Sequence, residues 1–230
     1  LRGAATRPED RLVADASNAA KRVCDPQCQV ELKCRSGELA MDRIPVPADM
    51  AAERRGVRRQ AALAFLCCAP VFGAAVWWLP QQIEFPTDVG ERLAFAARAI
   101  LLIVLCLTIA VGIVSTLRRY AEPRDITGSA YGPPSERLRV PIAFLQNTHE
   151  QVTMAAFAML ALATVPGEAP LAFIVASVPL FAIGRITFLR GYPHGAAARA
   201  FGMVTTSLPI LGAFAWVLWD MIAPLLGAVV

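Results

Sequence analysis

Residues 99–117 read AILLIVLCLTIAVGIVSTL, nineteen consecutive positions without a charged side chain. At 1.5 Å per residue such a helix spans about 28 Å, close to the thickness of a bilayer's hydrocarbon core. Arg92 and Arg98 lead into the run, and Arg118-Arg119 close it. It is too long for a strand, and no alternating pattern of the outer-membrane barrel kind accompanies it.

Four more segments repeat this reading to either side. Residues 61–79 carry no charge and end in Trp77-Trp78, aromatics suited to a lipid–water boundary. Residues 141–164 are apolar except for a polar knot from Gln146 to Gln151, QNTHEQ. Residues 171–189 are broken by Arg185, and residues 200–219 are uncharged, with Pro209 expected to kink the helix. Over the 230 residues the chain is 56% hydrophobic and 17% charged, where soluble domains average roughly 45–50% and about 25%. Residues 1–60 hold more than half of the charges. The net charge of +4 is not massed on one polar domain, so nucleic acid is not an expected partner. The reading is an all-α integral membrane helical bundle: a polar tail over residues 1–60, an additional membrane helix over 61–79, and a four-helix membrane domain over 91–222.

Loop charges orient the spans. Arg54, Arg55, Arg58 and Arg59 precede the first span and place the N-terminus in the cytoplasm. The next loop has Glu84 and Asp88 but no basic residue, as expected outside. Arg118, Arg119, Arg124, Arg137 and Arg139 return the following loop inside, and Arg190 and Arg199 do the same for a later turn. The C-terminus then exits on the side opposite the N-terminus.

The tail has no apolar run fit for a cleaved signal peptide and is expected to be poorly ordered. Cys24, Cys28 and Cys34 lack a fourth ligand and a nearby His, so no metal is expected and the thiols read as unpaired. Met41 and Met50 both precede the basic cluster, which leaves an upstream extension, a fusion scar or a mis-called start open for part of the tail.

Ionisable groups at membrane depth are expensive and mark function by default. Asn147 and Glu150 stand three apart on one helix face, while His149 points away from it and reads as a packing residue. Arg185, Phe188 and Tyr192 recur at helical spacing and form one stripe. Glu150 lies about 13 Å in from Pro141, and Arg185 about 10 Å in from Tyr192. The expectation is a Glu150–Arg185 pair, within one chain or across a subunit boundary. Arg199 opens the last span after the Gly191–Gly195 turn and is expected to face the same recess, where a guanidinium would favour a thiolate.

Together these residues resemble the family of membrane-associated proteins in eicosanoid and glutathione metabolism, MAPEG, over roughly residues 92–219. Asn147-Thr148-His149-Glu150 looks like the family's N-x-x-E, joined by Leu180-Phe181-Ala182 through Arg185, Gly191-Tyr192 and Arg199. Leu117-Arg118-Arg119-Tyr120 and Gly132-Pro133-Pro134 look like the leukotriene-forming branch. The resemblance implies a four-helix MAPEG-like core plus one extra N-terminal transmembrane helix. It also implies a homotrimer with glutathione, as co-substrate, bound between subunits near the cytoplasmic face. Asn147, Glu150, Arg185 and Tyr192 would hold it, Arg118 or Arg119 would assist, and Arg199 would act catalytically. The expected activity is a glutathione transferase or peroxidase on lipophilic small molecules. Ala143 and Gln146 stand where glutathione-using members carry arginine, Gln151 where they carry tyrosine, and Phe188 where an aromatic hydroxyl is expected. A non-catalytic MAPEG-like protein binding membrane lipid or a protein partner therefore stays open beside the enzyme, as does a transporter, for which no internal repeat speaks.

Overall fold

The computed structural model describes residues 49–120, 122–128 and 132–227; the Cys24, Cys28 and Cys34 cluster lies outside them. Five long helices follow one another, with no strand among the described residues. They are α1 (Met50–Trp78), α2 (Val89–Tyr120), α3 (Glu136–Thr164), α4 (Ala169–Gly191) and α5 (Ala196–Gly227). Four of them, α1, α2, α4 and α5, are long and apolar enough to cross a membrane. The fifth, α3, carries Glu136, Arg137 and Arg139 before its polar knot and is not among those four.

α1 begins eleven residues before the expected span (61 − 50 = 11), so residues 50–60 are helix and not tail. The reason is local. Asp49 caps the helix, its Oδ1 accepting from the amides of Ala51 at 2.8 Å and Ala52 at 3.0 Å. The alanines, Glu53 and four arginines that follow are good helix formers that outweigh Gly56.

α4 is the central helix. Of its apolar window 61% is buried, against 11% in α1 and α5 and 17% in α2. Leu171, Ile174 and Phe181 are wholly enclosed, whereas Leu101, Leu102, Leu105 and Ile109 of α2 are exposed in a continuous apolar band fit to meet lipid. α5 runs unbroken through Pro209, which is fully buried. Side-chain size sets the α4–α5 distance. A Cβ on Gly202 would lie 2.5 Å from the carbonyl oxygen of Gly184, so only glycine permits this approach. α1 lies along α4 and α5 through a stripe at fourfold spacing, Ala64, Cys68, Phe72 and Val76, with Phe72 stacked on Phe173 at 4.3 Å.

One end of the bundle is tied by Arg92 of α2, which is 3% exposed. Its Nε donates to the carbonyl of Ala163 at 2.8 Å, Nη1 to Gly167 at 2.7 Å and Pro86 at 3.4 Å, and Nη2 to Val165. Ala163, Val165 and Gly167 are where α3 ends and the connection to α4 begins, and Pro86 lies in the loop that leads into α2. At the other end the loop after α2 is pinned by Asp125, whose Oδ1 accepts from the Ser135 amide at 3.0 Å. The hydroxyl and amide of Ser135 hold the Asp125 carboxyl below the usual carboxylate range.

Two outcomes follow from these anchors. Arg92→Met orphans four carbonyls, so the unfolding free energy in detergent should fall by about 2–3 kcal/mol, read as a lowered Tm. Because folding depresses the Asp125 pKa, its contribution is present above the unfolded value of about 3.9 and is lost as pH falls through the folded value. Limited proteolysis of the 122–135 loop should accelerate in acid for the wild type, whereas Asp125→Asn should be cut at a rate independent of pH.

Candidate functional site

The site is built on α4 and read out through its neighbours. Arg185 sits two turns from the end of α4 and is 2% exposed. Its Nη1 donates to Asn147 Oδ1 of α3 at 2.8 Å and its Nη2 to Thr206 Oγ1 of α5 at 2.7 Å. Nε has no hydrogen-bond partner. The guanidinium also lies 4.7 Å from the ring centre of Phe188 and 5.8 Å from that of Phe181. Cation–ring contacts of this kind contribute about 2 kcal/mol when desolvated. Among the described residues no carboxylate forms an ion pair with Arg185, so the positive charge is solvated by dipoles and rings alone.

The expected stripe is present as a ladder. Phe188 meets Tyr192 edge-on at 5.5 Å, and the guanidinium of Arg199 lies 4.7 Å from the Tyr192 ring centre. The turn between α4 and α5 makes this possible. Gly195 has φ of +102°, in the left-handed region, which brings the first turn of α5 back over the end of α4. Asn147, Phe188, Tyr192 and Arg199 then share one open cleft of about 410 Å³. Val57, Ala143, Ala196, Ala200 and Met203 complete its walls.

Three expectations are not met within the single protomer. Within the protomer Glu150 does not pair with Arg185: it is exposed, and its nearest recorded partner is Gln146, whose Nε2 donates to Oε1 at 3.4 Å. The helical angle explains it, since Asn147 rather than Glu150 falls on the side of α3 that faces α4, together with buried Phe144, Thr148 and Gln151. His149 is exposed and not packed in the bundle. Arg118 and Arg119 border a different cleft, of about 350 Å³, lined by Val111, Val114, Ser115, Ile126 and Leu145. Asn147, Arg185, Tyr192 and Arg199 are thus brought together in one protomer, and Glu150, Arg118 and Arg119 are not.

Sequence reasoning missed Thr206, the second ligand of Arg185. Thr206 lies seven residues after Arg199, two helical turns on, so the spacing that linked Arg199 to the site also pointed to it. It also missed Val57 and Glu53 on α1. Glu53 accepts the Ala197 amide of α5 at 2.7 Å, a contact no local pattern announces.

Fold and site together define a polytopic helical membrane protein with a cationic, ring-lined cleft at one end of its bundle. The family profile of the MAPEG family matches residues 93–219, more than half of the chain, and the chain belongs to that family. α1 and the tail lie outside the matched residues. No curated protein and no solved structure matches the chain.

The Arg185 junction yields a stability test. Asn147→Leu leaves Nη1 unpaired and should lower stability in detergent by about 1–3 kcal/mol. Asn147→Asp supplies a carboxylate of nearly the same shape and should leave Tm unchanged or raised. A fall in Tm of equal size for both variants would show that the 2.8 Å contact is not what matters.

Proposed function

We propose that this MAPEG protein binds glutathione in the Asn147–Tyr192–Arg199 cleft and uses it to transfer the tripeptide to lipophilic electrophiles or to reduce lipid hydroperoxides. The observation that carries the reading is the guanidinium of Arg199, stacked on Tyr192 in the cleft, together with the buried guanidinium of Arg185, which has no carboxylate partner and donates to the lining residue Asn147. Glutathione carries two carboxylates, an ammonium and a thiol, so a site for it needs several cations. Arg185, through Asn147, supplies positive potential at the cleft floor. Arg199 at the rim favours the thiolate, the nucleophilic form. The thiolate then attacks the electrophilic carbon, forming the C–S bond as the leaving group departs with its bonding pair. Alternatively it attacks the distal peroxide oxygen, breaking the O–O bond to give the alcohol and a glutathione sulfenic acid that a second glutathione reduces to the disulfide and water. The apolar walls, Val57, Ala143, Phe188 and Met203, suit the hydrophobic co-substrate.

The glutathione ammonium needs an anion, and Glu150 lies outside the protomer's own cleft. In the homotrimer that belongs to this proposal, the exposed α3 face with Gln146, His149 and Glu150 meets a neighbour, and Glu150, Arg118 and Arg119 reach the ligand across the boundary. In this reading the end of the bundle that carries the cleft faces the cytoplasm, which the positive loops support. One observation favours the alternative, a non-catalytic member that holds a lipid or a protein partner: six of the nine residues around the cleft, Val57, Ala143, Phe188, Ala196, Ala200 and Met203, are apolar.

Equilibrium dialysis of the purified protein should show saturable glutathione binding at millimolar concentration, with turnover of a nitroaromatic halide in the presence of glutathione. Arg199→Ala should lower kcat/KM by about 10- to 100-fold, the loss of one charge-assisted contact to the reacting sulfur. If wild type and variant are equally inert, the enzyme reading is lost. If the wild type binds no glutathione, the non-catalytic reading takes its place.

A further inference from the structure

The helix that lies outside the family's matched region enters the cleft. Val57 of α1 is one of its lining residues, and Glu53, one turn earlier, reaches the first turn of α5. Within the basic run at the start of α1 the sidedness is clear. Arg54, Arg55, Arg58 and Arg59 are exposed, whereas Glu53, Gly56, Val57 and Gln60 are partly buried at i, i+3, i+4 and i+7.

The first turn of a helix has amides with no intrahelical acceptor, normally met by a side chain at the position just before it. In α5 that position is Gly195, which has no side chain to offer. Glu53 Oε1 takes the role from another helix, accepting the Ala197 amide at 2.7 Å and adding a negative charge at the positive end of the α5 dipole. The two helices are in direct contact there. A Cβ on Gly56 would lie 2.7 Å from the Ala197 Cβ, and one on Gly195 would lie 3.1 Å from Glu53 Oε1. Arg199 stands on the same turn, two residues after the capped amide, with its guanidinium on Tyr192.

We infer that Glu53 is a positioning residue for Arg199: by capping α5 from α1 it orders the turn that aims the guanidinium into the cleft. The added helix thereby becomes a working wall of the site and not an anchor alone. This deepens the glutathione reading and rests on it for the identity of the ligand; the contact between Glu53 and the Arg199 turn stands apart from it.

The test is the rate at which phenylglyoxal modifies Arg199 in the full chain in detergent, followed by peptide mass spectrometry with and without glutathione. Arg199 stacked on Tyr192 should react slowly in the wild type. Glu53→Ala should accelerate it about fivefold, the effect of removing one helix cap. Glu53→Gln keeps the acceptor oxygen and should restore most of the protection. Gly56→Val leaves Glu53 intact but pushes α1 away from Ala197, and should accelerate the reaction as Glu53→Ala does. Equal rates in wild type, Glu53→Ala and Gly56→Val overturn the assignment. So does a Glu53→Ala variant in which every arginine, the distant Arg98 included, reacts faster to the same degree, since that is general loosening. Failure of glutathione to protect Arg199 in the wild type counts against the proposed function and leaves the positioning role to be decided by the ligand-free rates.

Discussion

A guanidinium buried among three apolar helices organises this molecule. Removing a charge from water costs several kcal/mol unless polar partners replace the lost hydration. Arg185 obtains one partner from α3, another from α5, and two aromatic faces from its own helix. Each of those contacts fixes the rotation of a different helix about its axis. The same residue that is hard to bury therefore specifies how α3, α4 and α5 are arranged around it.

That arrangement needs α4 and α5 to be unusually close. Gly184 and Gly202 have no side chains to separate the backbones, and the approach brings Thr206 Oγ1 within 2.7 Å of Nη2. Larger residues at either position would move the hydroxyl away and leave a second guanidinium nitrogen without a partner. Packing and charge satisfaction are thus one constraint. The aromatic ladder extends it outward, from Phe188 to Tyr192 and then to Arg199, so the positive groups at the floor and the rim of the cleft are connected through stacked rings.

The two ends of the bundle are built for different tasks. Arg92 closes one end with hydrogen bonds to four backbone carbonyls, which leaves little freedom there. The other end keeps an open cleft, bounded by a glycine turn and by a helix outside the matched family region. Along the length of α1, Glu53 at one end and Phe72 against Phe173 near the other hold it to the core.

Much of this was legible in the chain itself. Apolar length set the number of the helices and the limits of α3 and α4 to within five residues, because a bilayer-spanning helix has a length fixed by the lipid. By contrast, α1 and α2 begin well before their apolar runs and α5 ends after its own. The stripe of Arg185, Phe188 and Tyr192 followed from helical periodicity, and so did the link to Arg199. The early start of α1 was hidden because a basic amphipathic run reads as tail when only hydropathy is counted. What hydropathy and spacing could not decide was which polar group answers which. Asn147 and Glu150 share one face by spacing, yet Arg185 takes Asn147 and Thr206, and Glu150 turns outward. Partner choice depends on the rotation and separation of helices, and those are set by glycine contacts and buried donors far apart along the chain. Periodicity along one helix determines its faces; only the packed bundle determines what each face meets.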